Sequence, residues 1–334
     1  MRCPASPILA AVDATATQRT AAANGGPAVS TAAALVALIA GVVLVVGAAD
    51  VLVDGLGSVG RKLGIAPFVL TVALSGFETE NLAAGIAANA KGLPGAAAGT
   101  FLGGVTFLAL GVAGLGGVIS PMQVELPRRF LAWTAVAPLP LLAFAVDGHV
   151  SRVEGGALVV WSIIALTGAA RSGRALLAGD HADERDRHPV AKLLAGLAVL
   201  TGGGWLLGEG LRHVVRHLGI SQTLLGNTAL AATVEAEELA RVAVPARRGR
   251  PELALGNIAG TIIHFAALNA GVIALVKPLA LDHDTTRLYL PAAAASPAIL
   301  ATVLLASRQL GRIEGAGLIA LYGVYLAVAI IIST

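Results

Sequence analysis

Ten apolar stretches separated by short polar breaks run along the chain, and this alternation sets its class before any single motif does. The pattern predicts helices over 31–54, 66–90, 96–119, 130–146 and 153–170. A second set follows over 191–211, 222–246, 252–277, 289–307 and 313–332. Runs of about 18 apolar residues or more are long enough to cross a bilayer core. Lipid offers backbone groups no hydrogen-bonding partner, so such runs must close their bonds internally as helices. The expected fold is an all-α membrane protein of ten transmembrane helices.

The longest polar break, 171–190, contains the charge run HADERDRH and separates five helices over 31–170 from five over 191–334. These halves match each other at three places in the same order. GLGSVGRKLGI from Gly55 matches GLRHVVRHLGI from Gly210, and ETENLAAGIAANAKG from Glu78 matches EAEELARVAVPARRG from Glu235. SRVEGGAL from Ser151 matches GRIEGAGL from Gly311. The offsets are 210 − 55 = 155, 235 − 78 = 157 and 311 − 151 = 160. Chance similarity between Ala/Gly-rich helices does not readily give three ordered blocks with charged residues. Because five is odd, the second copy enters the membrane from the opposite side. The halves are therefore expected to form two inverted five-helix repeats, an arrangement that places substrate sites near midplane where the repeats meet.

Composition agrees. Of 334 residues, 56% are hydrophobic and 13% charged, and mean hydropathy is +0.80; soluble domains carry about 25% charged residues. The net charge of +3 comes from loop Lys and Arg and gives no reason to expect a nucleic-acid partner. Cys3 is the single cysteine, and no Cys/His spacing suits zinc, so neither a disulfide nor a resident cofactor is expected. Residues 1–30, rich in Ala and Thr without an apolar signal core, read as a disordered tail. Eight Lys and Arg fall on the side of the termini and fourteen on the other. The positive-inside rule then predicts both termini outside, the linker in the cytoplasm, and residence in the plasma (inner) membrane.

The second block of the repeat carries the chemistry. It puts Glu78, Glu80 and Asn81 in the second predicted helix, and Glu235, Glu237, Glu238 and Arg241 in the seventh. A carboxylate at that depth costs on the order of 3 kcal/mol on insertion scales, so these groups should face a polar cavity on an ion or proton path. Residues three apart share a helix face, which pairs Glu78 with Asn81 and Glu235 with Glu238. Two such helices meeting at midplane would bring three carboxylates and an amide together, an oxygen-rich cluster suited to a hard cation. Crowded carboxylates also hold protons, so protonation could compete with metal binding. Glu80 and Glu237 point to another face, where interhelical pairing is an equal reading. Arg241 lies one turn from Glu237 and Glu238 and could neutralise part of the cluster. His264, opposite Phe107 in the repeat, could relay a proton or simply bond a neighbouring helix. Glu154 and Glu314 read as helix caps, and Asp54 and Glu209 as interfacial residues.

At these residues the chain resembles the calcium/cation antiporter superfamily. Its repeats carry G-T-S-x-P-E-L, then a basic residue and Gly, then A-L-G-N-x-x-G-S-N. The first repeat here reads GFETENLAAGIAANAKG and AAGTFLGGVTF, and the second TVEAEELARVAVPARRG and LALGNIAGTIIHF. The resemblance covers nearly everything from residue 40 onward. It implies ion-binding positions at Asn81 and Glu238, hydroxyl-ligand positions at Glu78 and Glu235, and further polar positions at Asn257 and Thr261. The first repeat departs most: its glutamate is Asn81 and its threonine is Phe77, while Glu80 and Glu237 replace both prolines. Gly76 still offers a place to loosen the second helix.

The expected activity is secondary antiport of Ca²⁺ or another cation against Na⁺ or H⁺, with the bilayer and inorganic cations as partners and no enzymatic chemistry. The leading ligand set is Glu78, Asn81, Glu235 and Glu238, and the secondary set is Glu80, Glu237, Arg241, Asn257, Thr261 and His264. The resemblance implies alternating access by motion of the first and sixth helices. Rivals are a passive channel, for which no span shows a long polar stripe, and an intramembrane enzyme, for which no Ser/His pair is present. A further rival is a relative altered or silenced by a fixed Arg241.

Overall fold

The computed structural model describes residues 31–63, 67–75, 79–173, 188–217 and 236–333. The expected tail, most of the linker and the first half of the seventh predicted helix lie outside these residues, as do Glu78 and Glu235.

The described residues are almost wholly helical. In order come α1 (Thr31–Leu63), α2 (Pro67–Leu74), α3 (Thr79–Ala90) and α4 (Pro94–Ile119). Strand β1 (Met122–Gln123), helices α5 (Arg128–Val136) and α6 (Leu139–Phe144), strand β2 (His149–Val150) and α7 (Arg152–Gly173) complete the first half. The second half has α8 (Pro189–His217), α9 (Ala236–Arg247), α10 (Pro251–Val276), β3 (Leu279–Ala280), α11 (Thr285–Ser307), β4 (Gln309–Leu310) and α12 (Arg312–Ser333). Among the described residues, eight helices are long and apolar enough to cross a membrane.

Three expectations are corrected. The first and sixth helices run on to Leu63 and His217, beyond 54 and 211, because the GLGSVGRKL and GLRHVVRH stretches contain no proline and continue the helix. The linker is shorter than 171–190: α7 continues to Gly173 and α8 starts at Pro189. The predicted second helix, 66–90, is two helices, with α2 ending at Leu74 and α3 beginning at Thr79. Gly76, a poor helix former, lies in that interval.

Local sequence explains many ends. Pro94, Pro189 and Pro251 open helices at the position where a missing N–H costs nothing. Gly92 and Gly249 adopt φ +76° and +72°, the left-handed geometry that reverses the chain after α3 and α9. The Glu154 carboxylate accepts from the Ser151 N–H at 2.7 Å, and that of Glu314 accepts from the Gly311 N–H at 3.1 Å. Both glutamates therefore cap their helices.

The halves interlock reciprocally. β1 pairs antiparallel with β4, Met122 opposite Leu310, and β2 pairs with β3, Val150 opposite Leu279. The repeat relation exchanges one sheet for the other. It also exchanges two helix crossings: a Cβ on Gly315 would come 2.5 Å from the Gly114 carbonyl oxygen, and one on Gly271 would come 2.7 Å from that of Gly155. Only glycine lets backbones approach so closely. Within α4 and α10 the coil widens to a π-helix at Phe107–Val112 and at His264–Asn269, again 157 residues apart; such widenings recur at functional positions.

The buried apolar residues form two clusters. The larger fills the space among α2, α4, α5, α7, α10, α11 and α12. The smaller joins α1 to α8 and reaches Ala240 of α9. α1 and α8 press together through small residues, with Gly55 against the Leu193 backbone and Gly203 against Leu44 and Val45. Leu35, Val36, Ile39, Val42 and Val43 of α1 remain exposed, a lipid-compatible surface.

Candidate ion site

The site forms where α2 stops and α9 starts. At the end of α2, the Ser75 N–H still donates to the Thr71 carbonyl at 2.9 Å. The Ser75 carbonyl accepts from two side chains of the other half. Thr261 Oγ1 of α10 donates to it at 3.2 Å, and the Arg241 guanidinium of α9 donates to it at 3.2 Å. The C-terminal end of a helix is its negative pole, so a cation is well placed there.

Glu237 and Glu238 occupy the first turn of α9, next to its positive pole. Both are buried, Glu238 completely. Arg241 straddles them, one nitrogen 2.9 Å from Glu237 and the other bonded to Glu238. The remaining Glu238 oxygen accepts from the Asn257 amide of α10. Glu237 turns its second oxygen toward α8, where a Cβ on Gly204 would sit 2.5 Å from it. Four segments thus converge on one buried cluster of charged and polar groups.

Close backbone approach makes this possible. A Cβ on Gly260 would meet the Ser75 hydroxyl at 2.1 Å and the Val72 carbonyl at 2.5 Å, so α2 and α10 touch only because residue 260 has no side chain. Gly256, one turn earlier, receives the Phe68 ring.

Of the residues expected at the site, Glu238, Glu237, Arg241, Asn257 and Thr261 come together. Glu237 shares the cluster with Glu238 instead of serving a separate face, because Arg241 at i+4 and i+3 reaches both. Asn81 is buried in the first turn of α3. Glu78 and Glu235 lie outside the described residues, and Glu80 falls in the first turn of α3. His264 is buried at the start of the π-turn, its Nδ1 2.8 Å from the Gly260 carbonyl of its own helix. Ser75 is a member of the site that the sequence pattern does not single out. Its main-chain oxygen, not its side chain, does the binding, and the adjacent Gly76 is the only sequence signal for it. Among the described residues no three His, Cys, Asp or Glu side chains gather into a metal-ion shell.

This geometry sits in a recognisable frame. The model of the sodium/calcium exchanger protein family matches residues 33–169 and again 188–331. The chain belongs to that family. It is 28% identical over 300 residues to the candidate antiporter CaxA of Alkalimonas amylolytica, covering 84% of this chain and 94% of that protein. It is also 28% identical over 261 residues to the inner membrane protein YrbG of Escherichia coli (strain K12), covering 73% and 80%. Among solved structures, the sodium-calcium exchanger NCX_Mj soaked with 100 mM Na⁺ and 10 mM Sr²⁺ superposes with a TM-score of 0.76 at 21% identity, over 89% of this chain and 99% of that one. The same exchanger with zero Na⁺ and Ca²⁺ gives 0.73. The chain is accordingly an integral membrane protein with the sodium/calcium exchanger fold.

Proposed function

We propose that this family member is a secondary active cation antiporter whose ions bind at the junction of α2, α9 and α10. The observation that carries the reading is a fully buried Glu238 beside an interrupted helix, in a cluster drawn from both halves of an exchanger fold. Burying ionised groups is costly unless they are paired, and a merely structural role gives no reason to keep two adjacent carboxylates there. The antiporter name of CaxA and the exchanger name of NCX_Mj point to the same activity. Each half, 31–170 and 191–334, acts as one repeat, with Asn81 and Glu238 in corresponding positions. The chain sits in the inner membrane with both termini outside and the linker in the cytoplasm, the orientation that the distribution of Arg and Lys supports. Transport, not enzymatic turnover, is the function.

α1 and α8 form the moving element. Their shared apolar cluster is separate from the main core, and α8 meets the site through Gly204 against Glu237. Sliding this pair would open the site to one side or the other while the interlocked sheets hold the rest.

Purified protein in vesicles with imposed Na⁺, H⁺ or Ca²⁺ gradients tests the proposal. Uptake of one cation should be driven by the opposing gradient of another and abolished by Glu238→Gln. Flux that proceeds without any counter-ion would identify a passive channel instead.

A further inference from the structure

Three oxygens from two chain segments distant in sequence converge on the Arg241 guanidinium: one from Glu237 at 2.9 Å, one from Glu238, and the Ser75 carbonyl at 3.2 Å. Two carboxylates and a main-chain carbonyl at a helix end are hard, oxygen-donor groups of the kind that bind inorganic cations. Here a protein side chain lies among them. Arginine keeps its charge at any accessible pH, so it cannot vacate the cluster by losing a proton. The Asn257 amide fixes the other oxygen of Glu238, which holds the carboxylate in the orientation that Arg241 uses.

Resting on the antiport reading above, we propose that Arg241 is a resident cation that sets ion selectivity. It fills an oxygen cage that would otherwise take a divalent ion, and so restricts exchange to monovalent cations such as Na⁺ and H⁺. Charge makes the case. Without Arg241, Glu237 and Glu238 present two negative charges to whatever enters, which matches Ca²⁺. With Arg241 in place these three side chains carry a net charge of minus one, which matches a single monovalent ion. The guanidinium also takes three oxygens from which a Ca²⁺ shell of about six to eight would be drawn. In the repeat relation the residue corresponding to Arg241 is Ala84, so the device belongs to one half only.

The experiment measures ion-dependent thermal stabilisation and radioactive Ca²⁺ binding on the full-length protein in detergent, with flux in vesicles alongside. Wild-type protein should be stabilised by Na⁺ and not by millimolar Ca²⁺. Arg241→Ala should gain saturable Ca²⁺ binding at least tenfold tighter than wild type, while Arg241→Lys, which keeps the charge, should gain none. If Arg241→Ala does not fold, Arg241→Ala/Glu237→Gln removes one charge of each sign and restores the net charge; it should gain Na⁺ affinity without Ca²⁺ affinity. Tight Ca²⁺ binding by wild type, or no gain of either ion in the folded variants, overturns the assignment. The two proposals fail separately. Wild-type vesicles that show no ion-coupled flux, with the binding pattern intact, would remove antiport and leave Arg241 as a resident cation. Coupled flux of Ca²⁺ by wild type would do the reverse.

Discussion

At the scale of single residues, the site depends on how the buried Glu238 is satisfied. One oxygen is held by Arg241 and the other by Asn257. A buried acceptor stripped of its donor costs about 1–3 kcal/mol. Asn257→Leu, close in size but without donors, should therefore destabilise the protein in detergent by that much. Asn257→Gln, which can still donate, should recover part of the loss. Equal stability of all three proteins on thermal unfolding would mean that Asn257 and Glu238 do not interact in solution. The resemblance implied a functional position at Asn257, and in the structure that side chain bonds Glu238. Its amide orients the carboxylate on the neighbouring helix.

At the scale of helices, the approach of α2 to α10 governs the geometry. The Ser75 carbonyl reaches Thr261 and Arg241 only because Gly260 leaves room for Val72 and Ser75. In Gly260→Ala the Ser75 hydroxyl can rotate away, but the Val72 carbonyl is backbone and cannot. α2 must then withdraw, at a cost of about 1–3 kcal/mol for overpacking, and the Ser75 oxygen is drawn off Arg241. Gly256→Ala meets the Phe68 ring at 2.9 Å, and a ring can tilt. We expect Gly260→Ala to impair transport and stability more than Gly256→Ala, measured side by side in vesicles and by thermal unfolding. The opposite order would show that the α2 end is not held by this contact.

At the scale of the whole molecule, the proposed motion follows the division into two apolar clusters. The β1–β4 and β2–β3 pairs and the two glycine crossings tie the halves into one core, whereas α1 and α8 chiefly grip each other. A cross-link within the α1–α8 pair should therefore leave transport unimpaired. The Cβ of a residue at 55 would lie 3.2 Å from that of Leu193 and 2.9 Å from its Cα, so α1 and α8 must part by a few tenths of an ångström to reach the usual disulfide Cβ separation of about 3.8 Å. Gly55→Cys/Leu193→Cys in a Cys3→Ser background should cross-link under oxidation and keep most of its exchange activity. Complete and reversible arrest on oxidation would show that α1 and α8 slide past each other.

The helical membrane fold and the repeat were legible in the sequence because both arise from local pattern. Apolar length dictates a spanning helix wherever it occurs, and blocks such as GLGSVGRKLGI and GLRHVVRHLGI can be matched without knowing where they fold. The acidic residues of the site stood out for the same reason, since a carboxylate within an apolar run is costly in any arrangement. Tertiary structure alone decided what those residues do to one another. Ser75 and Arg241 are 166 positions apart, and no periodicity announces that the carbonyl ending one helix will meet the guanidinium of another. The end of α2 belongs to the same category, since the partners that take up the Ser75 carbonyl come from α9 and α10. Hydrophobic pattern is a property of each segment by itself, whereas charge compensation is a property of whatever the folded chain brings within a few ångströms.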